Sequence, residues 1–182
     1  MTNSSSRYSG TAIALHWVMA LGLPATFALG HYMSDLPFSP AKLQFYSWHK
    51  WAGITLFLLA LLRLGWRLSH PAPAPVAGMP AWQRLAAEGT HHALYLLMLA
   101  IPLSGWLMSS AKGVPTVYFG LIRLPDLVQR SVELGNTLAW LHGSLNLALA
   151  ALVALHAAAA IKHHLIDRDD TLARMLPFIK RA

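Results

Sequence analysis

The chain has 182 residues, of which 55% are hydrophobic and only 12% charged, with a formal net charge of +7. A water-soluble domain carries about 25% charged residues, so a chain this apolar, with its apolar residues gathered in long runs, reads as a polytopic membrane protein. Cysteine is absent, which excludes disulfides, thiolate catalysis and cysteine-ligated iron–sulfur or zinc sites. The basic residues are scattered at the ends of apolar runs, with no Gly-rich phosphate loop and no basic-aromatic cluster. They therefore read as topology determinants and lipid-headgroup contacts, and no nucleic-acid partner is expected.

The N-terminus, MTNSSSRYSG, is short and polar with one arginine. The apolar run after it holds His16 and has no small-residue cleavage site, so it reads as a retained first span from about Gly10 to Tyr32 rather than a removed signal peptide. After LPFSPAK comes a second span from about Leu43 to Leu68, which carries His49, Lys50 and Arg63. The Pro/Ala-rich HPAPAPVAGMP leads to a third, from about Leu85 to Ser110, opened by His91 and His92 and holding Pro102, read as a structural kink. A longer connection from about Ala111 to Asn136 precedes the fourth span, from about Thr137 to Leu165, with His142 and His156; a polar tail follows from Asp167. Each run has the roughly 20 residues needed to cross the hydrocarbon layer. The expected fold is all-α, a polytopic membrane four-helix bundle forming one integral-membrane domain over residues 1–182.

Orientation follows from the Lys/Arg balance. Arg7, Arg63, Arg67, Arg84, Lys162, Arg168, Arg174, Lys180 and Arg181 flank one side, against Lys42, Lys50, Lys112, Arg123 and Arg130 on the other. Nine against five places both termini in the cytoplasm.

His142 and His156 are fourteen residues apart in the otherwise uncharged stretch LHGSLNLALAALVALHAAAA. That is close to four helical turns, so both imidazoles share one face, roughly 21 Å apart along the axis. Ionisable groups inside a span are functional by default. With the topology above, His49 and His142 fall at one depth in the outer half, and His16 and His156 at one depth in the inner half. Zinc wants about four ligands in a tetrahedron. Haem b wants two axial ligands on opposite faces of a flat macrocycle, and facing helices of a bundle can supply them. Two histidines at each of two depths thus point to two haem b groups, with His16, His49, His142 and His156 as the axial iron ligands. Gly53, one turn beyond His49, and Gly143, after His142, would allow close approach of the macrocycle.

The remaining histidines read differently. His31, His70, His163 and His164 are expected to be interfacial residues. His91 and His92 are candidates for a haem propionate contact, or for one of them to replace His16 or His156 as ligand. Arg63 lies fourteen residues after His49, on the same face and near the inner level; it could pair with a propionate or reach to the inner headgroups. Lys50 has three open readings: an outer propionate, an anionic or quinone substrate, or the outer headgroups. Arg67 reads as a headgroup contact.

In these residues the chain resembles the bacterial cytochrome b561 family of small four-helix di-haem membrane proteins. The matching pieces are ALHWVMALG, WHKWAGITLFLLALLRLGWRL, HHALYLLMLAIPLSGW and WLHGSLNLALAALVALHAAAAIKHHLIDRDDTLARMLP, which together cover nearly the whole chain. The resemblance implies two b haems held by the four histidines, electron transfer with the ubiquinone pool, and a place in the bacterial cytoplasmic (inner) membrane. One branch of the family is a superoxide:ubiquinone oxidoreductase, in which superoxide outside the membrane is oxidised to oxygen and its electrons reduce quinone. No protein nucleophile or base is then required, because the cofactors carry the redox chemistry. Outer basic residues would attract the superoxide anion, although Asp35, Asp126 and Glu133 leave that side with only about two net positive charges.

Two other functions compete. The first is an electron-carrier cytochrome b subunit linking the quinone pool to a partner oxidoreductase; the short loops leave little surface for such a redox partner. The second is a non-redox histidine-rich metal transporter, which is disfavoured because the spans contain no Asp and only Glu88 near an end.

Overall fold

The computed structural model describes residues 7–76, 78–176 and 178–179. Residues 1–6, Lys180 and Arg181 of the charge balance, and Pro177 of the tail motif lie outside the described residues.

Four long helices run α1 (Gly10–Asp35), α2 (Pro40–Ser69), α3 (Ala81–Ala111) and α4 (Val132–Lys162), and a π-helical turn, His163–Asp167, prolongs α4. All four are long and apolar enough to cross a membrane. α2 and α4 begin ahead of the apolar runs that mark them because serines cap them there; α3 also begins early, behind Pro80 and with no side-chain cap, while α1 begins where its run does. The hydroxyls of Ser9, Ser39 and Ser131 accept hydrogen bonds from the backbone N–H groups of Ala12, Lys42 and Leu134, satisfying donors that a helix start leaves free. Glu133 in the first turn of α4 adds a favourable charge at that end.

The long connection between α3 and α4 is not featureless. Val117–Tyr118 (β1) pairs antiparallel with Ile122–Arg123 (β2), Val117 opposite Arg123 and Tyr118 opposite Ile122. Gly120 takes the left-handed φ of 72° that closes the turn. This small hairpin is tied to α2, since the indole of Trp51 donates to the carbonyl of Val117 at 2.7 Å and the hydroxyls of Thr55 and Tyr118 lie 2.9 Å apart.

These contacts define one end of the bundle, the hairpin end. At the opposite, terminal end, the indole of Trp66 donates to Ser9 Oγ, and Trp17 Nε1 donates to the carbonyl of Met175 at 2.8 Å. Arg174 Nη1 donates to the carbonyl of Ala74, so the tail folds back over this end. Ala173 is fully buried there.

α1 packs on α2, α2 on α3, and α3 closely on α4, while the backbone of α4 stands off from α1 and α2. The tightest packing is a small plug of Met19, Ala60 and Met98. Most other large apolar side chains point outward: Leu21 is 72% exposed, Leu96 68% and Leu147 66%. A surface this apolar suits lipid, where burial between helices is not needed to hide it.

Candidate functional site

The gap between α4 and the α1–α2 pair is bridged by histidines. At the hairpin end, the rings of His49 on α2 and His142 on α4 are 6.3 Å apart, centre to centre, with planes at 82°. At the terminal end, His16 on α1 and His156 on α4 are 6.1 Å apart, with planes at 73°. The structure therefore brings together the same two pairs that depth along the spans suggests. All four side chains are half-buried. The Met19, Ala60 and Met98 plug includes a residue one turn beyond His16 on α1, where the helix runs on toward the hairpin-end level.

The ring separations fit one metal ion between two trans imidazoles. A ring nitrogen stands about 2.0 Å from the metal and the ring centre about 1.1 Å further, so two trans rings lie roughly 6.2 Å apart. His91 is also at the terminal level, but its ring centre is only 5.4 Å from that of His156. That separation is too short for an iron between those two rings and is suited to a direct ring contact. A cavity of about 310 Å³ opens beside the hairpin-end pair, lined by Thr26, His49, Gly53, Pro102 and His142 and reaching Ala157 next to His156. Neutral imidazoles in an apolar slot between helices are the donor set that haem iron takes.

The hairpin-end rings sit in matching cradles. His49 Nδ1 lies 3.1 Å from the carbonyl oxygen of Thr26 on α1, and His142 Nδ1 lies 3.1 Å from that of Ile101 on α3. Four residues on from each carbonyl is a glycine against the ring edge. A Cβ at Gly30 would come within 2.9 Å of His49 Cε1, and one at Gly105 within 3.1 Å of His142 Cε1. Ser104 Oγ lies 2.9 Å from His142 Nδ1 and donates to the Ile101 carbonyl at 2.7 Å. Sequence reasoning points to Gly53 and Gly143 instead. Gly53 does line the cavity, whereas a Cβ at Gly143 would meet nothing within 4 Å. Glycines at histidine depth in the first and third spans are the signal that could have found Gly30 and Gly105.

The terminal-end rings have different company. Arg63 Nη1 lies 3.1 Å from His16 Nδ1, Arg63 Nε donates to the Tyr95 hydroxyl at 3.2 Å, and the guanidinium carbon lies 5.7 Å from the Tyr95 ring centre. Arg63 is thus turned into the bundle rather than out to headgroups. Lys50 Nζ lies 3.3 Å from the carbonyls of both Val114 and Pro115. It ties α2 to the loop before the hairpin.

The other histidines lie off the two levels. His31 is exposed at the hairpin end. His70 stacks on Trp66 at 3.8 Å. His163 Nδ1 lies 2.7 Å from Asp169 and 3.1 Å from Asp167, while Lys162 holds both oxygens of Asp167. Burial pulls the Asp169 carboxyl upward, but the hydrogen bond from the Thr171 backbone N–H at 2.8 Å and the contact with His163 at 2.7 Å outweigh it, so its pKa lies below the usual carboxylate value.

Four helices long and apolar enough to cross a membrane, two levels of facing histidines and a tail folded under one end define a histidine-paired membrane helix bundle. The sequence agrees with this class: the model of the prokaryotic cytochrome b561 family matches residues 7–178. The chain belongs to that family, which implies haem b binding and a prokaryotic membrane. It is 36% identical to cytochrome b561 homolog 2 of Escherichia coli (strain K12), over 96% of this chain and 94% of that protein. It is 33% identical to cytochrome b561 homolog 1 of the same organism, over 94% and 98%. A relative from Yersinia pestis, 30% identical over 94% of this chain and 96% of its own length, is named probable superoxide oxidase CybB.

Proposed function

We propose that this chain is a di-haem b electron-transfer enzyme of the bacterial cytoplasmic membrane that oxidises superoxide and reduces ubiquinone. His49 and His142 would hold one haem and His16 and His156 the other; the Thr26 and Ile101 carbonyls beside Nδ1 of His49 and His142 leave Nε2 of those two rings available to the iron. When bound, haem supplies reversible one-electron chemistry. The net reaction takes one electron from each of two superoxide anions, releasing two oxygen molecules, and delivers both electrons with two protons to one quinone. The observation that carries this reading is the pair of ring separations, 6.3 and 6.1 Å, each the right width for a six-coordinate iron.

The chain's own residues do the holding and the screening. Gly30 and Gly105 admit the hairpin-end rings, and the Thr26 and Ile101 carbonyls fix their tautomer and orientation. Arg63 supplies a cation at the terminal level, and His91 packs against the His156 ring. The Lys/Arg balance places the terminal end in the cytoplasm and the hairpin end outside. The tail closes over the cytoplasmic end through Trp17 and Arg174, so an anion formed outside meets the hairpin end. The modest positive charge there, from Lys112, Arg123 and Arg130 against Asp126, raises its encounter rate slightly.

The test is purified protein in detergent with a superoxide source and a ubiquinone analogue. Quinone-dependent loss of superoxide, faster than spontaneous dismutation, is the expected result. Haem that is present and reducible without any such rate would overturn the enzyme reading in favour of an electron-carrier subunit.

A further inference from the structure

We infer that the chain sets its two haem levels at different potentials through what it places against the ligand rings: the hairpin-end centre is the lower and the terminal-end centre the higher. This rests on the ligand assignment proposed above and goes beyond it. With Nε2 committed to iron, Nδ1 of a neutral ligand carries the ring's proton. At the hairpin end both Nδ1–H groups have an acceptor, the Thr26 carbonyl for His49 and the Ile101 carbonyl, with Ser104 Oγ beside it, for His142. Donating that hydrogen bond makes the imidazole a stronger electron donor, which favours ferric iron and lowers the potential.

The terminal end lacks this. Among the described residues no backbone carbonyl makes a hydrogen bond to the His16 or His156 ring. What faces His16 Nδ1 is Arg63, itself a donor, 3.1 Å away. A protonated Nδ1 cannot accept from it, yet the guanidinium stays anchored by its bond to the Tyr95 hydroxyl. A fixed cation beside an unassisted ligand favours ferrous iron, and in an apolar surround its field is weakly screened. Lys50, next to His49 in sequence, opposes this in part, because its charge also reaches the His49 ring; its Nζ is held at the Val114 and Pro115 carbonyls of the loop, whereas Arg63 is in direct contact with His16. Arg63 is therefore a positioning and tuning residue, and the order of potentials makes transfer from the hairpin end toward the terminal end the downhill direction.

The experiment is a spectropotentiometric titration of the haem-loaded protein in detergent, with haem counted beforehand. Two one-electron components are expected. His156→Ala should retain the lower and His142→Ala the higher. Arg63→Gln should lower only the higher component, by about a tenfold change in the ferrous/ferric ratio, about 59 mV for one electron, and Arg63→Lys should restore most of it. Ser104→Ala should raise only the lower component, by a smaller shift; it carries the test if Arg63→Gln loses a haem. A single component in a protein shown to hold two haems overturns the inference and leaves the ligand assignment intact. So does the reverse assignment in the histidine variants, or an Arg63→Gln shift in the lower component. A protein that holds no haem overturns the ligand assignment itself.

Discussion

At the hairpin end each ligand ring rests on a glycine and has a backbone carbonyl at Nδ1. At the terminal end His16 faces a guanidinium and His156 sits between two other imidazoles, 6.1 Å from His16 and 5.4 Å from His91. The same pair of residue types, at nearly the same separation, is thus set in two environments. One is fixed by main chain, which side-chain substitution cannot remove; the other is made of side chains and can be altered one residue at a time. The ends also differ in cover. The tail is pinned under the terminal end by Trp17 and Arg174, whereas the hairpin end is covered by the α3–α4 connection, whose hairpin is tied to α2 and whose later part is tied to α3.

The largest effects come from removing a ligand. His142→Ala and His156→Ala should each lose about one haem equivalent from a different level. If either variant retains full haem, or if both abolish the same spectral component, the division into two levels fails. Next come the glycines. Gly30→Ala puts a Cβ 2.9 Å from His49 Cε1 and Gly105→Ala one 3.1 Å from His142 Cε1. Both should weaken or displace haem at the hairpin level alone. Haem retention during detergent dialysis, compared with the unsubstituted protein, would register this; retention equal to that of the unsubstituted protein in both variants would mean the cradles are incidental.

Much of this plan was legible in the sequence, and the parts that were not share a physical cause. Apolar run length marks the four spans, and counting turns from their ends sorts His16, His49, His142 and His156 into two depths. Depth along a helix is one-dimensional information. Which neighbour a given face meets depends on the rotation of the partner helix, which periodicity cannot supply in spans that are apolar all round. So the contact of Gly30 and Gly105 with the histidine rings is not legible in the sequence, and neither is the turn of Arg63 into the bundle rather than toward the headgroups. The hairpin at Val117–Arg123 was passed over because two-residue strands carry no alternating pattern. α2 and α4 start ahead of their apolar runs because Ser39 and Ser131 cap outside the hydrocarbon segment.

Smaller effects test the cover at the terminal end. Folding holds the Asp169 pKa below its unfolded value, through hydrogen bonds that outweigh burial. Its contribution to stability is therefore fully present above about pH 4, the ordinary carboxylate value. It is lost as pH falls through the lower folded value. Melting curves of the protein and of Asp169→Asn should diverge above that pH and converge below it; a constant offset across the whole range would contradict the assignment. Smallest of all, Trp17→Phe removes the bond to the Met175 carbonyl, at a cost of about 1 kcal/mol. That should loosen the tail, read as faster proteolysis near its end, without changing the haem count at either level.

The central claim is that two haems sit one above the other in a single chain, each between a pair of facing histidines. Haem counted per chain as the pyridine haemochrome, alongside a reduced-minus-oxidised spectrum, tests it most directly. The account predicts about two equivalents of haem b with a b-type α-band; one equivalent, or none, would contradict it.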